Sequence, residues 1–127
     1  MLKDNLTKEW IIKSQNDLKS AEILYKEDGP TDSLCFHCHQ AMEKILKAFL
    51  VFNKKEFPKT HDLVHLLNLC KKIDGSFKTM EDEASFLNRF YIEVRYPPEI
   101  AVYSKEECRE AIEYTQELTQ FIVNKIV

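Results

Sequence analysis

The chain has 127 residues, 44% of them hydrophobic and 31% charged, the balance of a soluble globular protein long enough to bury a core without disulfide or metal staples. Its formal net charge of -3 excludes a protein that coats nucleic acid by bulk electrostatics, although a local basic stripe stays open. The opening MLKDNLTKEW has no apolar signal core and no run reaches membrane-spanning length, so a cytoplasmic protein with its four cysteines reduced is expected.

With only two glycines and four prolines, long helices are favoured over many short strands. The first helix is predicted from Thr7, as N-cap, to Asp28, with Trp10, Ser14, Leu18, Ala21 and Tyr25 on one stripe and Gly29-Pro30 as its stop. A second runs from Thr31 or Asp32 to about Asn53. Leu34, Cys38, Ala41, Ile45, Ala48, Phe49 and Phe52 repeat there at helical spacing, and Leu46 and Leu50 widen the apolar face, which makes it the most buried helix.

Thr60 is placed to cap a short third helix through Leu63, Leu66, Leu67 and Cys70, ended by Asp74-Gly75. Thr79 and Asp82 have capping-box spacing ahead of a fourth helix to about Tyr91. The stretch IEVRYPPEIAVY is not helical through its two prolines and is expected as an ordered loop. Ser104 and Glu107 form a capping box for a last long helix, with Cys108, Ala111, Ile112, Thr115, Leu118, Ile122 and Ile126 inward. The expected architecture is all-α: one domain over residues 1–127, an up-and-down four-helix bundle with a short additional helix.

SLCFHCHQAMEK, residues 33–44, looks like a metal cluster. At about 100° per residue, however, Cys35, Cys38 and His39 share one sector of the helix while His37 points nearly the opposite way. Structural zinc wants four convergent ligands, and Cys38 sits in the middle of the apolar stripe, where a thiol behaves as a small hydrophobe. HDLVH places His61 and His65 four apart, as in a zinc protease, but Asp62 replaces the glutamate base and no third ligand follows. Neither stretch supports a metal, and His61 and Asp62 are assigned to the first turn of the third helix, where a carboxylate favours the dipole.

His37, Gln40, Lys44 and Lys47 form a polar stripe along this otherwise apolar helix, with Glu43 at its edge. Such a strip faces water, a cleft or a partner; a solvated edge and an anion site using Lys44 and Lys47 both remain open. In FYIEVRYPPEI, aromatics flank Arg95, a composition that can stack a base and hold a phosphate, or simply anchor a loop.

Taken in order, DLKSAEILY, FHCHQAMEKILKAFL, KTHDLVHLL, YIEVRYP and YSKEECREAIEYTQELTQFI resemble the HEPN domain (higher eukaryotes and prokaryotes nucleotide-binding) over nearly the whole chain. The resemblance implies a helical bundle paired as a homodimer and, for small members of this kind, a minimal nucleotidyltransferase as partner, sometimes as a toxin-antitoxin pair. It carries recurrent polar positions onto His37, Gln40, Glu43, Lys44, Lys47, His61, Asp62, Arg95, Tyr96 and Pro97. Cys38 and His39 stand where the family usually has Ala and Gln, which creates the metal-like look.

Many HEPN proteins are ribonucleases marked by an Arg followed four to six residues later by a His. Here the arginines are Arg89, Arg95 and Arg109 and the last histidine is His65, so no Arg precedes any His. The reading is therefore a non-catalytic module for a nucleotide or other phosphate-bearing ligand, without cofactor, acting with a nucleotidyltransferase. Lys44, Lys47, Arg95 and Tyr96 are the expected ligand contacts, with His37, Gln40 and His61 as polar neighbours. A variant ribonuclease toxin and a ligand-free interaction module are the alternatives, and nucleic acid is a possible but not the favoured ligand.

Overall fold

In a computed structural model that describes residues 5–93 and 102–126, every regular element is helical. Helix α1 spans Asn5–Lys26, α2 Thr31–Phe52, α3 Leu63–Ile73, α4 Glu81–Asn88, α5 Phe90–Glu93 and α6 Lys105–Ile126, with a 3-10 segment at Gly75–Met80 before α4. The most extensive packing is α1 on α2, followed by α2 on α6. This is the four-helix bundle with a short extra helix that the periodicity implies. No helix among the described residues is long and apolar enough to cross a membrane.

Helix α2 is the spine because its apolar sector is widest. Leu34, Cys35, Cys38, Ala41, Met42, Ile45, Leu46, Ala48, Phe49 and Leu50 are all buried, and each large aliphatic side chain so removed from water contributes about 1.5–3 kcal/mol before entropy is subtracted. Helix α1 packs on α2 closely through few fully buried residues: Thr7, Ser14 and Ala21 are buried, and Trp10, Leu18 and Tyr25 pack partly against the core. The Ser14 hydroxyl donates to the Ala41 carbonyl at 2.7 Å, a bond that requires the two helices to approach closely. Helix α6 buries Cys108, Ala111, Ile112, Thr115, Leu118, Ile122 and Ile126, the full set expected from its spacing.

At the ends of the elements some expected caps form and others are displaced. Ser104 and Glu107 make the reciprocal capping box, the Glu107 amide donating to Ser104 Oγ at 3.0 Å and the Ser104 amide to Glu107 Oε1 at 3.1 Å. Thr79 and Asp82 do not: α4 is preceded by Met80 with no side-chain cap, and the Thr79 hydroxyl instead donates back to the Ser76 carbonyl at 2.9 Å. The 3-10 segment explains the correction, because Asp74 turns the chain early by accepting from the Ser76 amide. The fourth helix also stops at Asn88, and Arg89 separates it from α5.

Two more boundaries shift. Thr7 lies inside α1 and is buried, so it is not the cap. Asp62, not Thr60, caps α3, accepting from the Val64 and His65 amides, while Thr60 Oγ1 accepts from the Asp62 amide one step earlier.

Helices α1 and α2 both end in a paired reversal. Gly29 N–H donates to the Leu24 carbonyl and Asp28 N–H to the Tyr25 carbonyl; at the second end Lys55 and Lys54 repeat the pattern on Leu50 and Val51. The left-handed residue is Asp28 in one case and Lys54 in the other. Gly29 serves a different need: a Cβ there would lie 2.6 Å from Leu24 Cδ2.

Candidate functional site

The polar stripe of α2 splits into two clusters. On the α1 side, Asp17 receives Lys44 Nζ at 2.5 Å on one oxygen and His37 Nδ1 at 3.0 Å on the other. Asp17 lies on α1 three residues beyond Ser14, which bonds to α2, so this cluster clasps the two helices together. Both basic side chains of this half of the stripe are thus held by a carboxylate of the same chain.

The other cluster faces the connection between α2 and α3. Glu43 is buried, and each carboxylate oxygen has one partner: Lys47 Nζ at 2.9 Å on Oε2, and His61 Nδ1 at 2.7 Å on Oε1. Lys47 is itself buried, with its ammonium 5.5 Å from the Trp10 ring centre and 5.6 Å from that of Phe57. A buried carboxylate demands compensation, and here the counter-ion comes from one helical turn away while the second bond comes from a loop.

His39 completes the arrangement. Its Nε2 donates to the His61 carbonyl at 2.9 Å and its Nδ1 accepts from the Gln40 amide at 3.2 Å, so both ring nitrogens are satisfied in the neutral state. Burial lowers its pKa to about 4, against a smaller opposing pull from the Glu43 carboxylate. Cys35 and Cys38, the neighbours that gave this stretch its metal-like look, are buried in the apolar core, and burial pushes the Cys38 thiol up to about 12. Among the described residues no group of three or more His, Cys, Asp or Glu is placed to hold a metal ion.

Beyond His61 lies a cleft of about 440 Å³ lined by Lys59, Thr60, His61, Asp62, Asn88, Tyr91 and Ile92. Its walls come from two places in the sequence. The His61 ring stacks on Tyr91 of α5 with centroids 4.2 Å apart and planes 13° from parallel, and His39 lies against the same tyrosine at 5.4 Å. Asn88 ties the walls together: its carbonyl oxygen accepts from the Leu63 amide at 2.8 Å, and its amide donates to Asp62 Oδ1 at 3.1 Å. Lys59 is exposed at the cleft and has no ion pair among the described residues.

A profile of the HEPN domain matches residues 7–126. The chain belongs to the HEPN family. Its fold is also that of two solved structures: an archaeal HEPN homologue, ST0689, at 22% identity and TM-score 0.79, covering 95% of this chain and 98% of that one, and TT1696 from Thermus thermophilus, at 24% identity and TM-score 0.84, covering 96% and 99%. A search of curated proteins returned no match.

Set on this HEPN fold, the expected site residues separate. His37 and Lys44 belong to the Asp17 clasp, Lys47 to the buried Glu43 pair, and Gln40 supports His39. Among the described residues, His61 alone of the expected set both lines the cleft and joins the buried network. Arg95, Tyr96 and Pro97, and with them most of the expected proline loop, lie outside the described residues, although Ile92 and Glu93 at its start are still helical. His65 is exposed on α3 and takes no part in the cluster.

Four participants are not assigned to a site by the sequence: Asp17, His39, Lys59 and Asn88; Tyr91 is among the aromatics of FYIEVRYPPEI. His39 carries a signal, because it falls in the apolar sector of α2, where an imidazole needs partners. Asp17 and Asn88 carry none, because the partners of Asp17 are 20 and 27 residues away and those of Asn88 25 and 26.

Proposed function

We propose that this HEPN domain binds a nucleotide or similar phosphate-bearing ligand in the cleft beside His61, without catalysing a reaction on it, and acts as a homodimer with a minimal nucleotidyltransferase partner. The observation that carries the reading is the cleft itself: a stacked His61–Tyr91 wall next to the Lys59 ammonium, which has no ion pair among the described residues. Aromatic faces suit a base, and an exposed ammonium suits a phosphate. Arg95 and Tyr96, which follow α5 in the sequence, are the further contacts of the proposal. The lysines of α2 act at one remove, Lys47 by neutralising Glu43 and Lys44 by fixing α1.

Isothermal titration with nucleoside triphosphates tests this. Binding by the wild type, weakened by about tenfold in Lys59→Ala and in Arg95→Ala, is the expected result, equivalent to about 1.4 kcal/mol per contact. No heat with the wild type, or unchanged affinity in both variants, overturns it. Co-purification of a nucleotidyltransferase with the tagged protein from its native cells is expected for the partner part of the reading, and a protein recovered alone would count against that part.

A further inference from the structure

Two buried side chains of α2 grip one residue of the loop. His39 donates to the His61 backbone carbonyl at 2.9 Å, and Glu43 accepts from the His61 ring at 2.7 Å. Both gripping residues are buried, whereas the His61 side chain is 47% exposed and lines the cleft. A carboxylate only accepts, so the nitrogen facing Glu43 must carry the proton. In the neutral imidazole that leaves Nε2 with a lone pair, and Nε2 has no hydrogen-bond partner among the described residues.

We propose that His61 Nε2 is a hydrogen-bond acceptor that reads a neutral donor on the ligand, a hydroxyl or an amino group, with Glu43 as the positioning residue that fixes the tautomer and His39 as the one that fixes the backbone. The inference rests on the binding reading above and adds to it a selection rule. The phosphate is taken up by cations, whereas the imidazole discriminates among ligands by whether they carry a donor at the right place. Lys47 has a part in this, because its bond to the second Glu43 oxygen holds the carboxylate with its first oxygen toward His61. A ring held only for packing would not need both of its polar anchors buried in α2.

The chemistry allows two sources of donor, the exocyclic amine of a base and a ribose hydroxyl, and the test separates them. Nitrogen-15 imidazole spectra of the free protein at about pH 8, where an ordinary histidine is neutral, are expected to show His61 as the Nδ1–H tautomer. ATP is then titrated against inosine triphosphate, which lacks the amine, and against the 2′-deoxy and 3′-deoxy analogues. At least one deletion is expected to lower wild-type affinity about tenfold, since the analogue leaves the acceptor without its hydrogen bond. That discrimination is expected to vanish in His61→Ala, which removes the acceptor but keeps the backbone carbonyl that His39 holds. In Glu43→Gln the amide can donate to Nδ1, so the Nε2–H tautomer should appear and the preference be lost.

A free protein with the proton on Nε2 overturns the inference before any ligand is added. Wild-type protein that binds ATP and all three analogues equally, or discrimination that survives His61→Ala, overturns it while leaving the binding reading intact. Failure of the wild type to bind ATP overturns both.

Discussion

Asp17 and Glu43 each hold one lysine and one histidine, yet the two clusters serve opposite ends. Asp17 sits on α1, is 15% exposed in its side chain, and draws both of its partners from a single face of α2. Glu43 sits on α2, is 4% exposed, and draws one partner from its own helix and the other from a loop. The first arrangement uses charge as a clasp between neighbouring helices. The second uses a buried ion pair to hold one imidazole at the edge of a cleft. The difference teaches that a polar stripe on a buried helix is not itself a site; what matters is whether its partners close the surface or present a group to it.

The contrast is sharpest in what truncation should cost. Glu43→Ala leaves the Lys47 ammonium buried without its carboxylate, and removing one member of a buried pair typically costs about 3–5 kcal/mol. A loss of roughly that size in urea unfolding is expected, together with loss of the His61–Tyr91 stack, read as changed chemical shifts of both rings. A cost below about 1 kcal/mol would mean that water already reaches the pair, and the comparison with Asp17 would dissolve.

The same cluster should be the more acid-sensitive of the two. His39 titrates near 4 when folded but near 6.5 in an unfolded chain. Between those values the unfolded state binds the extra proton, so stability is complete above about pH 6.5, falls as the pH drops toward 4, and loses nothing further from this residue below that. The full effect is roughly 3 kcal/mol. Unfolding free energy measured across that window should decline in the wild type and stay flatter in His39→Gln, which can still donate to the His61 carbonyl. Equal slopes in the two proteins would show that the acid response lies elsewhere.

These two clusters also mark how far the sequence can be read. The long helices are legible because their apolar stripes repeat over about five or six turns, and the Ser104–Glu107 box because both its bonds close within three residues. Thr79–Asp82 has the same spacing but is pre-empted by the turn that Asp74 starts, a competition between neighbouring caps that spacing cannot rank. The helical wheel correctly places His37 away from Cys35 and Cys38, but the single polar stripe it draws through His37, Lys44 and Lys47 divides in the structure, with Lys47 buried beside Glu43. It cannot show that an acid on α1 already meets the first two. Nor can it show that His61, read as part of the first turn of α3, reaches back 18 residues to Glu43.

The smaller effects test the clasp and the loop separately. Asp17→Ala removes one ion pair and one hydrogen bond that are only partly buried, with Lys44 and His37 23% and 35% exposed, so both side chains can turn to water. A loss of about 1–2 kcal/mol is expected, well under that of Glu43→Ala. Ligand affinity should stay within about twofold, because nothing in that cluster touches the cleft. Asp62→Ala inverts the pattern. It removes an N-cap worth about 1 kcal/mol, but the lost carboxylate also anchors the Asn88 amide that joins the cleft's two walls. Its modest stability loss should therefore come with a weakening of ligand binding larger than that of Asp17→Ala, and Asp62→Ser, which restores the cap but reaches Asn88 less well, should recover more of the stability than of the affinity. If the two properties recover together, the loop is held by its helix cap alone and Asn88 adds nothing to the shape of the cleft.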